Sequence, residues 1–286
     1  MSLGGGQGGY LAYGARGLAK LIESLGDDVE LSRESLISLN GLLSNQELKL
    51  AAIAHEEPPI IPALVRLLTS ENEEVQQLAA TALGSLHLVY QGRVASQEAH
   101  AAAALEGRLS MSVPVAAASA SALLSMSESR DGCQVLAESA TLMATLTQAL
   151  SGAAPVVIPC LATLASWLRL DCGVKDALTA GIVPALHRII STSRRSSDAL
   201  KLSLQALWNL SNSHEGKVAV VEEGLLRTLS KKVEAGTEEV KRLAAGCIMS
   251  LAINKEGKIA SDVCVVPLID LALANRGPHG EPGSLK

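Results

Sequence analysis

Apolar residues recur along this chain with the spacing of helices. Between Ala15 and Leu25, leucine and isoleucine lie three and four residues apart, which places them on one face of a helix. The same spacing predicts long helices over residues 31–43, 70–90, 115–126, 158–170, 199–210 and 240–251, with shorter helices between them. Alternating runs of β-branched residues, which would indicate strands, are scarce. The pattern therefore predicts an all-α protein.

The predicted helices repeat with a period of about 40 residues. Ser203–Lys217 reads as an amphipathic helix that closes with the triplet EGK, and the triplet returns 41 residues later at the end of Arg242–Lys258. The long helices carry matching apolar anchors at steps of 43, 40, 42, 42 and 41 residues, namely Leu43, Leu86, Met126, Leu168, Leu210 and Leu251. Glycines follow at similar steps, and we expect each to end a long helix in the left-handed conformation: Gly92, Gly132, Gly173, Gly216 and Gly257.

A unit of roughly 40–47 residues built from two or three helices is typical of armadillo and HEAT repeats. The order of a short helix, a proline-led middle helix such as GIVPALHRII and a long helix such as ALWNLSN resembles the armadillo repeat. The resemblance implies an armadillo-repeat α-solenoid, a right-handed superhelix of about six three-helix repeats that is incomplete at both ends. We expect the solenoid to cover residues 12–275, between a flexible Gly-rich arm at 1–11 and a flexible tail at 276–286.

A closer resemblance rests on three short motifs. AYGARGLAKL at Ala12–Leu21, the EGK triplets at Gly216 and Gly257, and AAG at Ala244–Gly246 resemble the radial spoke protein 14 family, also called the rhabdoid tumour deletion region protein 1 family. Its members are armadillo proteins of the radial spoke in motile cilia and flagella. The resemblance implies a non-catalytic scaffold of the spoke stalk in the axoneme, within the cytoplasmic cytoskeleton. Such a scaffold binds other spoke subunits and helps transmit signals that regulate dynein-driven motility.

Two alternatives stay open. One is a soluble adaptor that grips an extended peptide, similar to importin-α or β-catenin. The other is a regulatory subunit of a larger enzyme complex.

The composition of the chain favours proteins as its binding partners. With 48% hydrophobic residues the chain is too apolar for disorder, yet no window reaches the roughly 18 continuous apolar residues of a membrane span. A net charge of −5 argues against nucleic-acid binding, which needs a basic surface. The five cysteines are scattered without CxxC spacing, which indicates packed thiols in a reducing compartment rather than disulfides or zinc. We expect no cofactor, metal or small-molecule substrate.

Catalytic residues are not evident. The six histidines form no HxxxH pair, and GGGQGG lacks the Lys of a phosphate-binding loop. His187 lies in a proline-led helix and His214 in a predicted turn before EGK, so a surface or packing role is the expectation for both. Arg194-Arg195-Ser196-Ser197 has the form of a basophilic kinase substrate, and phosphorylation of Ser197 is a hypothesis for what is otherwise a solvated loop.

Two surfaces are candidates for partner binding. The periodicity predicts a concave face lined by the long helices, with Gln77, Thr81, Ser121, Ser166, Lys201, Gln205, Trp208, Asn212, Arg242 and Met249 as candidate contacts. Trp208 and Asn212 match one rung of the Trp and Asn ladder with which nuclear-import armadillo proteins grip basic peptides. The equivalent positions of the other repeats do not match, so packing between repeats explains Trp208 equally well. We also expect a partner to cover the last helix, through Val266, Leu268, Ile269 and Leu271.

Overall fold

The computed structural model of the protein describes residues 14–274, including the side chains of residues 17–170 and 173–274. The predicted arm and tail lie outside this range. The chain divides into two compact units, the first up to Thr163 and the second from Leu164 onward. Throughout the described range the regular elements are helices, so the all-α prediction is confirmed.

The described part of the first unit opens with a middle helix and a long helix, and full three-helix repeats follow. In chain order its helices are α1 (Gly14–Glu23), α2 (Val29–Leu42), α3 (Gln46–Ile53), α4 (Ile60–Leu67), α5 (Glu73–His87), α6 (Tyr90–Glu98), α7 (Ala101–Glu106), α8 (Val113–Ser127), α9 (Arg130–Leu136) and α10 (Leu142–Ala149). The boundary between the units falls within α11 (Ala154–Trp167).

The second unit continues the same order of short, middle and long helices. Its elements are α12 (Asp171–Thr179), α13 (Ile182–Thr192), α14 (Asp198–Leu210), α15 (His214–Glu222), α16 (Leu225–Ala235), α17 (Glu238–Leu251), α18 (Lys255–Ala260), a 3₁₀ helix (Ser261–Cys264) and α19 (Val265–Ala274). Within the first unit the long helices α5 and α8 pack together, and within the second α14 and α17 do so.

The apolar anchors of the repeats form the core. All six are at most 2% exposed: Leu43, Leu86, Met126, Leu168, Leu210 and Leu251. Full burial of such a side chain stabilises the fold by roughly 1.5–3 kcal/mol, so one anchor per repeat makes a regular contribution along the chain. The predicted repeat register is confirmed.

Side-chain caps explain where several helices begin. The helix predicted over residues 70–90 starts at Glu73, because the Asn72 carboxamide accepts hydrogen bonds from the backbone N–H groups of Glu74 and Val75. A cap of this kind satisfies donors that have no partner within the helix. Asp28, Asn45, Ser129, Ser197, Ser213, Thr237 and Asn254 cap other helices in the same way.

The periodic glycines have a different role from the predicted one. None of the five is left-handed; among the described residues the left-handed glycines are Gly181 and Gly224, which precede α13 and α16. Each periodic glycine is the third residue of a short helix. A Cβ on Gly132 or Gly216 would overlap the carbonyl oxygen of the residue six positions earlier, at the end of the long helix. The glycine therefore permits a tight turn between helices, and the expectation of a left-handed helix end is wrong.

The same junction corrects the position of His214. It is the first residue of α15 rather than part of a turn, and its side chain is exposed. Ser213 caps this helix by accepting a hydrogen bond from the Gly216 N–H at 3.0 Å. Asn254 does the same for Gly257 one repeat later, at 2.8 Å.

A buried histidine joins three helices of the first unit. The His87 side chain on α5 is fully buried, and burial lowers its pKa from 6.5 to about 4. The neutral ring donates from Nδ1 to the Ala122 carbonyl on α8 at 2.9 Å and accepts at Nε2 from the Ser96 hydroxyl on α6 at 2.9 Å. Both ring nitrogens are thus satisfied without a charge in the core.

Candidate partner-binding groove

An open groove lies on the long-helix surface of the second unit. Its volume is about 790 Å³. Residues from α14, α17, α18, the 3₁₀ helix and α19 line it, and we call it the C-terminal groove: Trp208, Arg242, Ala245, Gly246, Ile248, Met249, Ala252, Lys258, Ser261, Asp262, Val265 and Leu268.

Trp208 reaches this groove because α17 has a glycine opposite it. A Cβ on Gly246 would come within 2.9 Å of three atoms of the indole ring. Real Cβ atoms do not approach neighbours so closely, so the ring lies against the bare helix backbone. Trp208 is therefore both a packing residue between α14 and α17 and part of the groove lining, and the two sequence-based interpretations are not exclusive.

The groove exposes large apolar side chains. Met249 on α17 is 64% exposed, and Val265 at the start of α19 is 46% exposed. Ile253 and Val266, which directly follow the lining residues Ala252 and Val265 in sequence, are 76% and 67% exposed. Single exposed apolar residues are ordinary, but several beside one concave groove are typical of an interaction site.

Charged side chains complete the lining. Arg242 and Lys258 supply two positive charges and Asp262 one negative charge. Among the described residues none of these three side chains has a hydrogen bond or an ion-pair partner. The acidic residues beside Arg242 on α17 are already engaged, Glu239 by Lys201 at 2.9 Å and Glu238 by Lys241 at 3.0 Å.

The groove unites residues that the sequence analysis assigned to separate surfaces. Trp208, Arg242 and Met249 were predicted on the long helices, and Leu268 on the last helix. Lys258, Asp262 and Val265 were missed as site residues. Lys258 is the last residue of the second EGK triplet. The repetition of the triplet was visible in the sequence, but it was interpreted as a turn between helices.

Three more predicted residues lie together in the first unit. Gln77, Thr81 and Ser121 line a shallower groove of about 570 Å³ between α5 and α8. The floor is tight, since a Cβ on Gly84 would come within 3.2 Å of the Ala122 α-carbon. Small side chains dominate its lining, and it offers a partner fewer large apolar contacts than the C-terminal groove.

The other predicted contacts make bonds within the protein. Lys201 pairs with Glu239, which raises the pKa of the Lys201 ammonium. Gln205 donates a hydrogen bond to Asn209 at 3.1 Å, and Asn212 accepts one from the Ser250 hydroxyl at 3.4 Å. Ser166 is half-buried on α11 and lines neither groove.

The last helix presents an apolar face, as the sequence pattern indicated. Val266 and Ile269 are exposed, whereas Leu268 and Leu271 are half-buried. Coverage of this face by a partner stays a prediction.

Ser197 has a structural role at the start of α14. Its hydroxyl accepts a hydrogen bond from the Leu200 N–H at 3.3 Å and donates one to the Arg194 carbonyl at 3.1 Å. The residue is half-buried, and it caps the helix that carries Trp208. Its phosphorylation also stays a prediction.

One hydrogen-bonded chain superficially resembles a catalytic arrangement. His187 on α13 lies 2.9 Å from the Glu223 carboxylate and 3.2 Å from the Thr228 hydroxyl. His187, Glu223 and Thr228 come from α13, the end of α15 and α16, so this chain of hydrogen bonds joins successive repeats and is explained by packing.

Neither metal binding nor membrane crossing has support in the described range. Among the side chains that the structure describes, those of residues 17–170 and 173–274, there is no cluster of three or more potential His, Cys, Asp or Glu ligands. The described cysteines are buried, and burial raises the pKa of the Cys160 thiol to about 12. Across the same stretch, no helix combines the length and apolarity needed to span a bilayer.

Comparison with known proteins identifies the fold. Residues 57–86 match the model of the armadillo/β-catenin-like repeat. No curated protein sequence is significantly similar to the chain. Among solved structures, an engineered protein is similar at 25% identity and a TM-score of 0.74, over 84% of this chain and 97% of that one.

Two further similar structures concern peptide recognition. Computationally designed armadillo repeat proteins for modular peptide recognition are similar at 22% identity and a TM-score of 0.74, over 82% of this chain and 99% of theirs. A designed armadillo repeat protein in complex with the peptide (KR)4 is similar at 21% identity and a TM-score of 0.74, with the same coverage. The chain therefore has the armadillo-repeat fold, which is typically that of a non-catalytic protein-binding scaffold.

Proposed function

We propose that this armadillo-repeat protein is an adaptor that binds a segment of a partner protein in the C-terminal groove. The observation that carries the proposal is the exposure of Met249 and Val265 beside Trp208 in one open groove. Aromatic residues and methionine are enriched in the centres of protein interfaces, because they contribute a large contact area. The armadillo proteins designed for peptide recognition, or solved with a bound peptide, support the same interpretation by their fold.

The shape of the groove favours a peptide over a small molecule. Small-molecule sites enclose most of the surface of their ligand. The C-terminal groove is open along the surface, and five successive elements contribute to it. A segment of a partner chain would contact several of these elements at once.

Selection from a random peptide library tests this proposal. Peptides are selected on the wild-type chain, and their affinities are then measured for Trp208→Ala and Met249→Ala. We expect affinity for the selected peptides to fall about tenfold or more in either variant. The matched control is Met111→Ala, since Met111 is also an exposed methionine, at 42% against 64% for Met249, and lies in the first unit. Failure to select any peptide, or equal affinities for all variants, would reject the proposal.

The second candidate is a subunit of the radial spoke, which would place the protein in the axoneme with other spoke proteins as partners. Its support is the likeness of Ala12–Leu21 and of the EGK and AAG triplets to the radial spoke protein 14 family. In this chain the glycines of these triplets have packing roles, as Gly246 has beside Trp208. The triplets are therefore also explained by the fold alone.

Fractionation of flagella tests the spoke assignment. A spoke subunit stays with the axoneme after detergent extraction and is missing from axonemes that lack spokes. Recovery of the protein in the soluble pool of cells without cilia would contradict the assignment, while leaving the adaptor proposal intact. A regulatory subunit of an enzyme would instead co-purify stoichiometrically with catalytic chains.

A further inference from the structure

We infer that the segment bound in the C-terminal groove is acidic and carries an apolar anchor residue. The inference rests on the proposed function and specifies the chemistry of the partner. It follows from the distribution of charge and apolar surface in the groove. It predicts the opposite charge preference to that of the designed armadillo repeat protein in complex with the peptide (KR)4.

The apolar part of the lining calls for an apolar side chain. Trp208 is held against Gly246, so its ring is a rigid surface that needs little ordering when a partner binds. Met249 and Val265 lie on the same groove and are largely exposed. An aliphatic or aromatic side chain placed among these three residues would remove apolar surface from water on both partners.

The charged part of the lining calls for carboxylates. Lys241 and Lys201 pair with the carboxylates of Glu238 and Glu239, which leaves Arg242 without an anionic partner among the described residues. A guanidinium binds carboxylate through two parallel hydrogen bonds, so Arg242 favours Asp or Glu on the partner. Lys258 adds a second positive charge, and Asp262 offsets only one of the two.

The same charges disfavour a basic segment. A Lys- or Arg-rich peptide would meet Arg242 and Lys258 along the groove, with Asp262 as its single carboxylate among the lining residues. Juxtaposed like charges lower affinity and slow association. The chain shares its fold with the (KR)4-binding design, but its groove has the wrong sign of charge for such a peptide.

Peptides of matched length and reversed charge test the inference. We would titrate the full chain with a peptide of alternating Glu and Leu, its Lys and Leu counterpart, and (KR)4, and measure binding by calorimetry. The Glu and Leu peptide is expected to bind at least about tenfold more tightly than the other two, and more weakly as salt rises.

Charge-reversal variants locate the effect. Arg242→Glu and Lys258→Glu are each expected to weaken binding of the Glu and Leu peptide about tenfold. Trp208→Ala is expected to weaken binding by a similar factor, but without changing the dependence of affinity on salt. Lys231→Glu is the matched control, since Lys231 is exposed on α16 and lies outside the groove lining. Circular dichroism verifies folding, and Arg242→Gln replaces any charge-reversal variant that fails to fold.

The outcomes separate this inference from the proposed function. Tighter binding of (KR)4 or of the Lys and Leu peptide, equal binding of all three, or an equal effect of Lys231→Glu would overturn the acidic preference and leave the adaptor proposal standing. If none of these peptides and no library-selected peptide binds, both proposals fail.

Discussion

The indole ring of Trp208 on α14 lies against the backbone of Gly246 on α17, with three ring atoms 2.9 Å from the position that a Cβ would take. This relationship joins the packing of two repeats to the C-terminal groove. The ring forms part of the groove because the neighbouring repeat has no side chain beneath it. Gly246 thus acts on the groove through Trp208.

Replacing Gly246 with alanine tests this relationship. The new methyl group displaces the ring, and overpacking of this kind costs about 1–3 kcal/mol of unfolding free energy, partly offset by the better helix propensity of alanine. We expect a shift in Trp208 fluorescence and weaker binding of library-selected peptides. The other tryptophan, Trp167, is buried, and its fluorescence should not change. The measurements are made in a Trp167→Tyr background as well as in the wild type, so that the signal of Trp208 is seen alone. An unchanged Trp208 spectrum would contradict the packing arrangement.

A second glycine substitution tests the helix junctions. A Cβ on Gly132 would overlap the Met126 carbonyl oxygen, and a backbone atom cannot rotate away as a side chain can. We expect Gly132→Ala to lower the free energy of unfolding by about 3 kcal/mol or more, measured by urea titration.

Gly41→Ala is the matched control in the same unit. Gly41 lies inside α2, and no atom lies within 4 Å of its potential Cβ. Alanine there should stabilise the protein by roughly 0.5–1 kcal/mol, because glycine is a poor helix former. Equal effects of the two substitutions would mean that helix propensity, and not the close approach at the junction, determines the cost.

His87 predicts a loss of stability in mild acid. Its pKa is about 4 in the folded protein and 6.5 ordinarily, so between these values the unfolded chain binds a proton that the folded chain does not. Unfolding free energy therefore falls as the pH falls from 6.5 to 4, by on the order of 3 kcal/mol in total. Urea titrations across this range should show a steeper slope in the wild type than in His87→Gln, which keeps only the contribution of carboxyl groups such as Asp131, whose pKa is lowered by the hydrogen bond from Arg93.

His214→Gln is the control, since His214 is exposed and its replacement should leave the slope unchanged. NMR of the imidazole carbons provides a direct check on the folded protein. A His87 ring that titrates near pH 6.5 in the folded state would contradict the buried, neutral assignment.

The repeat architecture was predictable because each repeat has the same local spacing of apolar residues. Leu210 and Leu251 occupy the same position of successive units, and both side chains are fully buried. The glycine period was equally visible, but its cause was not. A left-handed turn and a close approach to a carbonyl oxygen both select glycine, and sequence alone does not distinguish them.

The groove was only partly predictable because it depends on contacts between repeats. Trp208 and Met249 were identified by their position on the long helices, whereas Leu268 was assigned to a separate surface. The role of Gly246 depends on a ring 38 positions away in sequence, and no local pattern encodes that contact. The bond between His187 and Glu223 was missed for the same reason, since its partners are 36 residues apart.

The most direct test of the account is to locate a bound peptide. A library-selected peptide that carries a photoreactive residue is cross-linked to the full chain, and the attachment sites are read by mass spectrometry. We predict that the cross-links map to residues 242–268 and disappear in Trp208→Ala. Cross-links confined to the α5 and α8 groove, or scattered over both units, would contradict the C-terminal groove as the binding site.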